Sequence, residues 1–223
     1  MNIRNIIRPF ARFIINQVRH TSMFLAVEEE LEMYRYKGVN ERYYEYPFGI
    51  KNVLEFKNKI GKTKVLDAGS SDSPFGPILA SLGLKVTGVD IVPWKIDYPN
   101  MEFKVDDLKD LSFKDESFDI VTAISTLEHV GLSRYGEKEI SEGDTQAFSE
   151  LRRVLKTEGY FILTVPFGKN YIVHQNKNRI YDKKRINSLL KEFSIKKTEF
   201  YAPIEDPDVF RPCTEKELLK WDK

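Results

Sequence analysis

Acidic and small polar residues follow several apolar runs of this sequence, at the points where buried strands would end. Asp67 and Gly69 end the first run, Asp90 the second and Asp107 the third, and Ser125 ends the fourth. In an open α/β sheet, ligands bind beyond the carboxyl ends of the strands. A carboxylate there can accept two hydrogen bonds from a ribose diol, and glycine allows a sharp turn close to a ligand. Together these residues predict a site for one nucleoside-like ligand.

The loop after the first run indicates which nucleoside-like ligand this is. The dinucleotide fingerprint G-x-G-x-x-G is absent, because serines follow Gly69 and the next glycine is Gly76. The P-loop signature is absent as well. The acid at Asp67 would repel a phosphate but attract a cationic or amino-bearing ligand. S-adenosylmethionine has an amino group, a sulfonium, a ribose diol and no phosphate, so these residues favour it over NAD.

Alternating strands and helices must position these residues. Apolar runs predict six strands, over residues 64–69, 85–92, 101–107, 118–126, 159–168 and 194–203. Helical spacing predicts helices over residues 76–83, 144–156, 182–193 and 215–221, with Asp144 and Thr214 as caps of the second and fourth. Strands that alternate with helices imply parallel crossovers. The predicted fold is therefore a doubly wound, mostly parallel α/β sheet with helices on both faces.

Four segments of the chain resemble, in their order and spacing, the motifs of class I S-adenosylmethionine-dependent methyltransferases. They are VLDAGSSDS (65–73), VTGVDI (86–91), DDLKDLSFKDESFDIVTAISTLEHVG (106–131) and LRRVLKTEGYFILTVPFG (151–168). The resemblance covers about residues 45–202. It implies a Rossmann-like sheet of seven strands with the last strand antiparallel, whereas the pattern here predicts six and leaves the seventh undefined within 203–223.

The resemblance implies roles for the first motif. Asp67 and Gly69 match the acid and the loop that hold the methionine part of the cofactor, and Ser70 and Ser71 lie in that loop. The family loop often reads G-x-G-x-G, whereas Ser71 and Ser73 occupy the later glycine positions here. Serine is small, so this departure alters the expected loop path without abolishing binding.

The resemblance also implies roles for the next two strand ends. Asp90 matches the acid that binds the ribose hydroxyls, with Ile91 beside the adenine. Asp107 matches the acid near the adenine amino group, and Leu108 contributes a backbone contact. Asp106 is an adjacent alternative for the role of Asp107.

A narrower resemblance concerns the acceptor of the methyl group. In the class I resemblance, Ser125 and Thr126 match the strand end beneath the methionine chain of the cofactor, which makes Ser125 a cofactor-binding candidate. Segments 42–48 and 125–144 look like those of bacterial and archaeal methyltransferases associated with surface polysaccharides and related sugars. Within them, segment 131–143 is long and glycine-containing, which is typical of a lid or acceptor loop.

A hydroxyl acceptor must lose its proton during methyl transfer. His129 follows the fourth strand, where the transferred methyl should lie, and its ordinary pKa near 6.5 suits a general base. Glu128 beside it is a candidate for orienting a group or binding ligand. The alternatives are that His129 makes only structural hydrogen bonds and that His174, Glu128 or water takes the proton. No spacing of ligands indicates a metal site.

These residues together predict transfer of a methyl group from S-adenosylmethionine to a small-molecule or glycan acceptor, at a hydroxyl. Two alternatives stay open: a protein, lipid or nitrogen acceptor, and a noncatalytic subunit that binds S-adenosylmethionine and serves a partner. The balance of 35 Lys and Arg against 34 Asp and Glu gives a net charge of +1, which argues against a nucleic-acid substrate. The single cysteine, Cys213, excludes an internal disulfide and favours a cytoplasmic location.

The chain divides into an N-terminal helical extension, residues 1–40, and a methyltransferase domain, residues 41–223. Residues 1–20 contain four arginines and no acid, with apolar residues at helical spacing. Such a basic amphipathic helix either packs on the domain, associates with a second copy, or lies on the inner membrane surface. The sequence contains no run of 18 uncharged apolar residues, so it predicts no membrane-spanning helix.

Overall fold

Five parallel strands form the central sheet of the computed structural model, which describes residues 41–60, 63–174, 177–203 and 210–220. The strands are β1 (Lys64–Ala68), β2 (Lys85–Asp90), β3 (Met101–Val105), β4 (Phe118–Ile124) and β5 (Leu155–Thr164). They lie in the order β3-β2-β1-β4-β5, and every pairing is parallel. The direction of winding therefore reverses between β1 and β4, which is where such sheets open a crevice for ligands.

Helices cover both faces of this sheet. They are α1 (Arg42–Ile60), α2 (Phe75–Ser81), α3 (Gly143–Val154), α4 (Lys183–Leu189) and α5 (Glu215–Leu218), with 3₁₀ turns at Leu127–His129 and Leu190–Glu192. This arrangement confirms the doubly wound, parallel α/β fold predicted from the sequence. Helix α1 was not predicted, because aromatic residues at adjacent positions of its first turns obscure a one-sided apolar pattern.

The core consists of two apolar layers, because successive side chains of a strand point to opposite faces. On one face, Val65 of β1 packs in a layer that includes Val53 of α1 and Leu79 of α2. On the other face, Leu66 packs in a layer that includes Leu151 of α3. Strand β4 is buried along its whole length. These layers hold the strands in register and thereby fix where their carboxyl ends lie.

The predicted strand 194–203 is wrong over most of its length. Only β8 (Phe200–Pro203) is a strand, and it pairs antiparallel with β9 (Phe210–Cys213) in a separate two-stranded sheet. Ile195 is the one apolar residue among residues 194–199, and 57% of its surface is exposed. A single exposed apolar side chain supplies too little burial to add this segment to the sheet. A second small hairpin consists of β6 (Ile172–His174) and β7 (Asn178–Ile180).

The two predicted helix caps have different outcomes. Thr214 caps α5 in a reciprocal capping box with Glu217, as expected, although the helix ends at Leu218. The prediction for Asp144 is wrong, because Glu142 occupies the cap position of α3. Asp144 lies fully buried in the first turn, where Arg185 Nη2 approaches its Oδ1 to 2.8 Å. Its charge is therefore used for an ion pair rather than for a backbone cap.

Arg179 fastens the base of segment 131–143. Its side chain is fully buried and donates hydrogen bonds to the carbonyl oxygens of Val130 (2.7 Å) and Ser141 (3.0 Å). Its Nε also lies 3.6 Å from Asp144 Oδ1. A single buried guanidinium therefore holds both ends of this loop, at Val130 and at Ser141.

The predicted N-terminal extension, with its alternatives of packing, self-association or membrane contact, lies outside the described residues. Across the part of the chain that the structure describes, no helix has both the length and the apolar character needed to span a membrane.

We expect Arg179→Met to lower the free energy of unfolding by about 3 kcal/mol or more. The variant leaves two carbonyl oxygens without their buried donor and removes one of the two guanidinium groups beside the buried carboxylate of Asp144. Urea-induced unfolding measures the change. Lys183→Met is the matched control, since Lys183 pairs with Glu215 on the surface and should cost less than about 1 kcal/mol. Equal losses in the two variants would contradict the structural role of Arg179.

Candidate functional site

The loop of residues 69–73, after β1, lies against the end of β4. Gly69 has a φ of +76°, and a Cβ atom there would come within 2.4 Å of Thr126 Oγ1. The amide of Gly69 donates to the carbonyl of Val89, at 2.8 Å, which also brings the end of β2 to this point. Glycine is required here both for its conformation and for its lack of a side chain. The structure thus joins three of the strand ends that the sequence identified.

The serines at the later glycine positions of this loop fit its path. Among the described residues with positive φ, this loop contributes Gly69 and Asp72, but neither Ser71 nor Ser73. Ser73 Oγ accepts a hydrogen bond from the amide of Phe75, at 3.3 Å, at the start of α2. The departure from G-x-G-x-G therefore requires no strained serine.

Asp67 lies beneath the loop rather than on its surface. Its Oδ1 accepts a hydrogen bond from Thr122 Oγ1, at 2.8 Å, and only 3% of the residue is exposed. Its Oδ2 and the hydroxyl of Ser70 are buried without a hydrogen-bond partner within the described part of the chain. Burial raises the pKa of Asp67 to about 6, against the effect of the Thr122 hydrogen bond. This carboxyl therefore lies in the core beneath the loop and is not exposed on the surface of the site.

Asp90 is oriented by two backbone amides. Its Oδ2 accepts from the amide of Ser71 (3.1 Å) and its Oδ1 from the amide of Val92 (3.0 Å). The residue is partly exposed, as is Ile91 beside it. A carboxylate oxygen accepts more than one hydrogen bond, so Asp90 can bind two further donors from the solvent side while it stays fixed against the loop.

The acids after β3 have different surroundings. Hydrogen bonds from Ser112 and the charge of Lys104 lower the pKa of Asp106, against the opposing effect of its partial burial. Asp107 is partly exposed and accepts from the amide of Lys109, at 2.9 Å, while the side chain of Leu108 is buried. Asp107 is also held within its own loop, because Lys109 Nζ lies 2.9 Å from its Oδ1. The geometry therefore does not separate the two acids, and Asp107 stays the candidate that the resemblance implies.

Ser125 ends β4 in an uncommon backbone conformation, with a φ of +44°. Its amide donates to Thr164 Oγ1 at 2.9 Å, and its hydroxyl donates to Glu45 Oε1 at 2.7 Å. A non-glycine residue at positive φ needs such support, and these conformations concentrate at functional sites. The hydrogen bond to Glu45 also ties this strand end to α1.

Glu128 is a buried carboxyl at the same strand end. Only 2% of it is exposed, and its Oε2 has no hydrogen-bond partner among the described residues. Its Oε1 lies 3.7 Å from His129 Nε2. Burial raises the pKa of Glu128 to about 8, and the nearby charge of Glu45 contributes in the same direction.

The carbonyl of Lys177 and the guanidinium of Arg134 both contact the ring of His129. Its Nδ1 lies 2.7 Å from the carbonyl oxygen of Lys177, so Nδ1 carries the proton and donates it. Arg134 Nη1 lies 2.9 Å from Nδ1 and 3.2 Å from Nε2. Burial lowers the pKa of His129 to about 4, and the charges of Arg134 and Arg42 act in the same direction. This value is below the range near 6.5 on which the sequence argument relied. His174 is exposed in β6.

Helix α1 brings to the site residues that reasoning from strand ends missed. Arg42 and Glu45 form an ion pair beside Ser125, and Tyr46 OH lies 3.4 Å from Ser73 Oγ in the loop. The sequence signal that could have identified them is segment 42–48 (RYYEYPF). This segment is part of the narrower resemblance to methyltransferases associated with surface polysaccharides. Among the residues described, no group of three or more His, Cys, Asp or Glu is placed to hold a metal ion.

A wide pocket of about 1700 Å³ opens on the α1 side of the site. Glu45, Ser125, Glu128 and His129 line one end of it, and it extends along β5. The 69–73 loop does not line it. Ser125, at the end of β4, is therefore the residue matched to the cofactor side that also lines this pocket.

A family model described as Caenorhabditis protein of unknown function, DUF268, matches residues 101–206, slightly less than half of the chain. No curated protein sequence matches significantly.

Solved structures are similar over most of the chain. One is the 1,6-didemethyltoxoflavin-N1-methyltransferase of Burkholderia thailandensis, which was solved with 1,6-didemethyltoxoflavin and S-adenosylhomocysteine bound. It is 14% identical, with 83% of this chain and 84% of that chain covered and a TM-score of 0.52. Another is a Galdieria sulphuraria protein provisionally assigned as a sarcosine dimethylglycine methyltransferase, 16% identical, with 69% and 62% covered and a TM-score of 0.52. The fold is that of class I S-adenosylmethionine-dependent methyltransferases.

We expect Gly69→Ala to destabilise the protein by about 1–3 kcal/mol more than Gly136→Ala, because its methyl group would overlap Thr126. Gly136 is the matched control: its φ is +86°, yet a Cβ atom there would meet nothing within 4 Å. Both variants carry the cost of positive φ for alanine, so the difference isolates the overlap. Thermal and urea unfolding measure it, and equal stabilities would show that β1 and β4 do not approach this closely.

Proposed function

We propose that this protein is a methyltransferase that transfers a methyl group from S-adenosylmethionine to a hydroxyl of a small-molecule or glycan acceptor. The observation that carries the proposal is the placement of Asp90. Its carboxylate is held by two backbone amides beside the Gly69 turn, at the point where the winding of the sheet reverses. This is where a ribose diol bound by an open α/β sheet would lie.

The residues at this edge fit S-adenosylmethionine group by group. The 69–73 loop would pack against the methionine part, Asp90 would accept from the ribose hydroxyls, and Asp107 would lie near the adenine amino group. Ile91 would contact the adenine ring, and Leu108 would contribute its backbone. When bound, this cofactor supplies an electrophilic methyl group on a sulfonium.

The acceptor side is rich in hydrogen-bonding side chains. Glu45, Ser125, Glu128, His129 and Arg134 line one end of the pocket that opens at the end of β4. This wall suits an acceptor with several hydroxyl groups, such as a sugar, better than an apolar one. The protein must orient the acceptor oxygen toward the methyl carbon. We assign Glu128 and His129 to the binding and orientation of the acceptor.

We expect the protein to bind S-adenosylmethionine and S-adenosylhomocysteine, and to bind NAD far more weakly, because the loop after β1 lacks the diphosphate-binding glycines. Isothermal titration calorimetry with the three ligands measures this. NAD binding as tight as that of S-adenosylhomocysteine would refute the cofactor assignment.

Asp90→Ala should lower the affinity for S-adenosylhomocysteine at least tenfold, since hydrogen bonds to a charged group contribute about 1.5–3 kcal/mol each. Asp97→Ala is the matched control, because Asp97 is an exposed acid on the segment that follows the same strand and should bind as wild type does. Calorimetry gives both affinities, and circular dichroism confirms that the variants fold. Equal affinities in the two variants would place the ribose elsewhere.

Transfer of labelled methyl from S-adenosylmethionine to a panel of monosaccharides, nucleotide sugars and lipid-linked sugars tests the acceptor class. We expect label in at least one sugar. Label in the nitrogen-containing or protein members of a parallel panel instead would favour the alternative acceptors. Tight cofactor binding without any transfer would favour a noncatalytic subunit.

A further inference from the structure

Two carboxyl groups meet at the acceptor end of the site. Glu128 follows β4 and Glu45 comes from the first turn of α1, with the hydroxyl of Ser125 donating to Glu45. We infer that Glu128, rather than His129, accepts the proton of the methylated hydroxyl. The inference rests on the proposed function and assigns the proton transfer within it.

The position of Glu128 suits this task. It lies in the 3₁₀ turn directly after β4, at the strand end where the loop of the cofactor side packs. It lines the acceptor pocket, yet its Oε2 is buried and has no hydrogen-bond partner in the described structure. Almost all buried carboxyl oxygens are hydrogen-bonded, so this oxygen is available for a donor supplied by a ligand.

Charged and titratable groups surround Glu128 from three directions. Helix α1 contributes Glu45 and Arg42, and both affect its ionisation. The 3₁₀ turn contributes His129, whose Nε2 lies 3.7 Å away. From β7, Arg179 Nη1 approaches the carbonyl oxygen of Glu128 at 3.5 Å, and the phenol of Tyr181 beyond it is sensitive to the charge of Glu128.

The balance among these groups favours a neutral carboxyl that ionises close to neutrality. Burial raises the pKa of Glu128, and the like charge of Glu45 adds to this effect. Hydrogen bonds from its own backbone amide and from Ser125, together with the charge of Arg42, only partly offset them. General bases are most effective when their pKa lies near the working pH. An ordinary exposed glutamate, by contrast, is too weak a base.

His129 is poorly arranged for the same task. Its Nδ1 donates to the carbonyl of Lys177, and Arg134 Nη1 lies 2.9 Å from Nδ1 and 3.2 Å from Nε2. A proton added to Nε2 would be repelled by that cation. We therefore assign His129 as a positioning residue that supports Glu128 from one side.

The step balances as a simple displacement. The acceptor hydroxyl oxygen forms the new bond to the methyl carbon, while the carbon–sulfur bond breaks and its electron pair passes to the sulfur. The hydroxyl proton passes to Glu128 Oε2, which is left neutral until solvent removes the proton. No oxidant or reductant is needed.

The ionisation of Glu128 can be measured without knowing the acceptor. In protein labelled with ¹³C at the glutamate carboxyl carbon, NMR titration should show one signal that titrates near pH 8, and this signal should be missing from Glu128→Gln. Glu45→Gln should move the same titration to lower pH, because it removes the like charge. Glu55→Gln is the control, since Glu55 is an exposed acid farther along the same helix, and it should leave the titration unchanged.

Kinetics with the best sugar of the acceptor panel test the catalytic assignment. Wild-type turnover should rise with pH to a plateau above about 8, and Glu128→Gln should lose that inflection and on the order of 10²–10⁴ in turnover. Affinity for S-adenosylhomocysteine should stay unchanged. Glu45→Gln should move the inflection to lower pH, and His129→Gln should keep it.

The outcomes separate this inference from the proposed function. A wild-type protein that methylates a sugar, together with a Glu128→Gln variant that keeps its turnover and its inflection, overturns the inference alone. A Glu128 signal that titrates in the ordinary carboxyl range overturns it as well. A wild-type protein that binds no S-adenosylmethionine, or transfers no methyl to any hydroxyl, contradicts the proposed function and the inference with it.

Discussion

The close approach of Gly69 to Thr126 is the contact on which the site depends. It joins the ends of β1 and β4, the two neighbouring strands between which the sheet reverses its winding. The turn that it permits places the amide of Ser71 against Asp90, and the following residues lead into α2. A side chain at Gly69 would separate these ends and move the cofactor loop and the acceptor residues apart, since both are anchored there.

The carboxyl groups of the site differ in what surrounds them, and their ionisation follows. Asp90 is fixed by amides and partly exposed, which suits a permanent acceptor of hydrogen bonds. Asp106 is bound by its own loop. Asp67 and Glu128 are buried, each with one oxygen that has no hydrogen-bond partner among the described residues, and burial raises the pKa of each. Under the proposed function, burial would suit Glu128 to proton transfer, and the backbone amides would suit Asp90 to binding.

The sequence predicted the parallel sheet and its polar strand ends because buried strands and the turns after them have strong local patterns. It did not predict α1, the separate β8–β9 sheet or the buried pair of Asp144 and Arg185. These depend on contacts between residues far apart in the chain, such as Glu45 with Ser125 and Asp144 with Arg185. The ionisation of Glu128 and His129 could not be predicted for the same reason, since burial and charges from other elements determine it.

Arg179 binds the base of segment 131–143 but not its tip, so the two parts of this loop tolerate changes in sequence and length to different degrees. Its base is held by buried hydrogen bonds to Val130 and Ser141, whereas residues 133–136 at its tip are exposed, and Gly136 has open space around it. Changes in length at the tip would leave these buried hydrogen bonds in place. Under the proposed function, such changes would alter the entrance to the acceptor pocket, which Arg134 of the tip lines, while the residues at the end of β4 keep their positions.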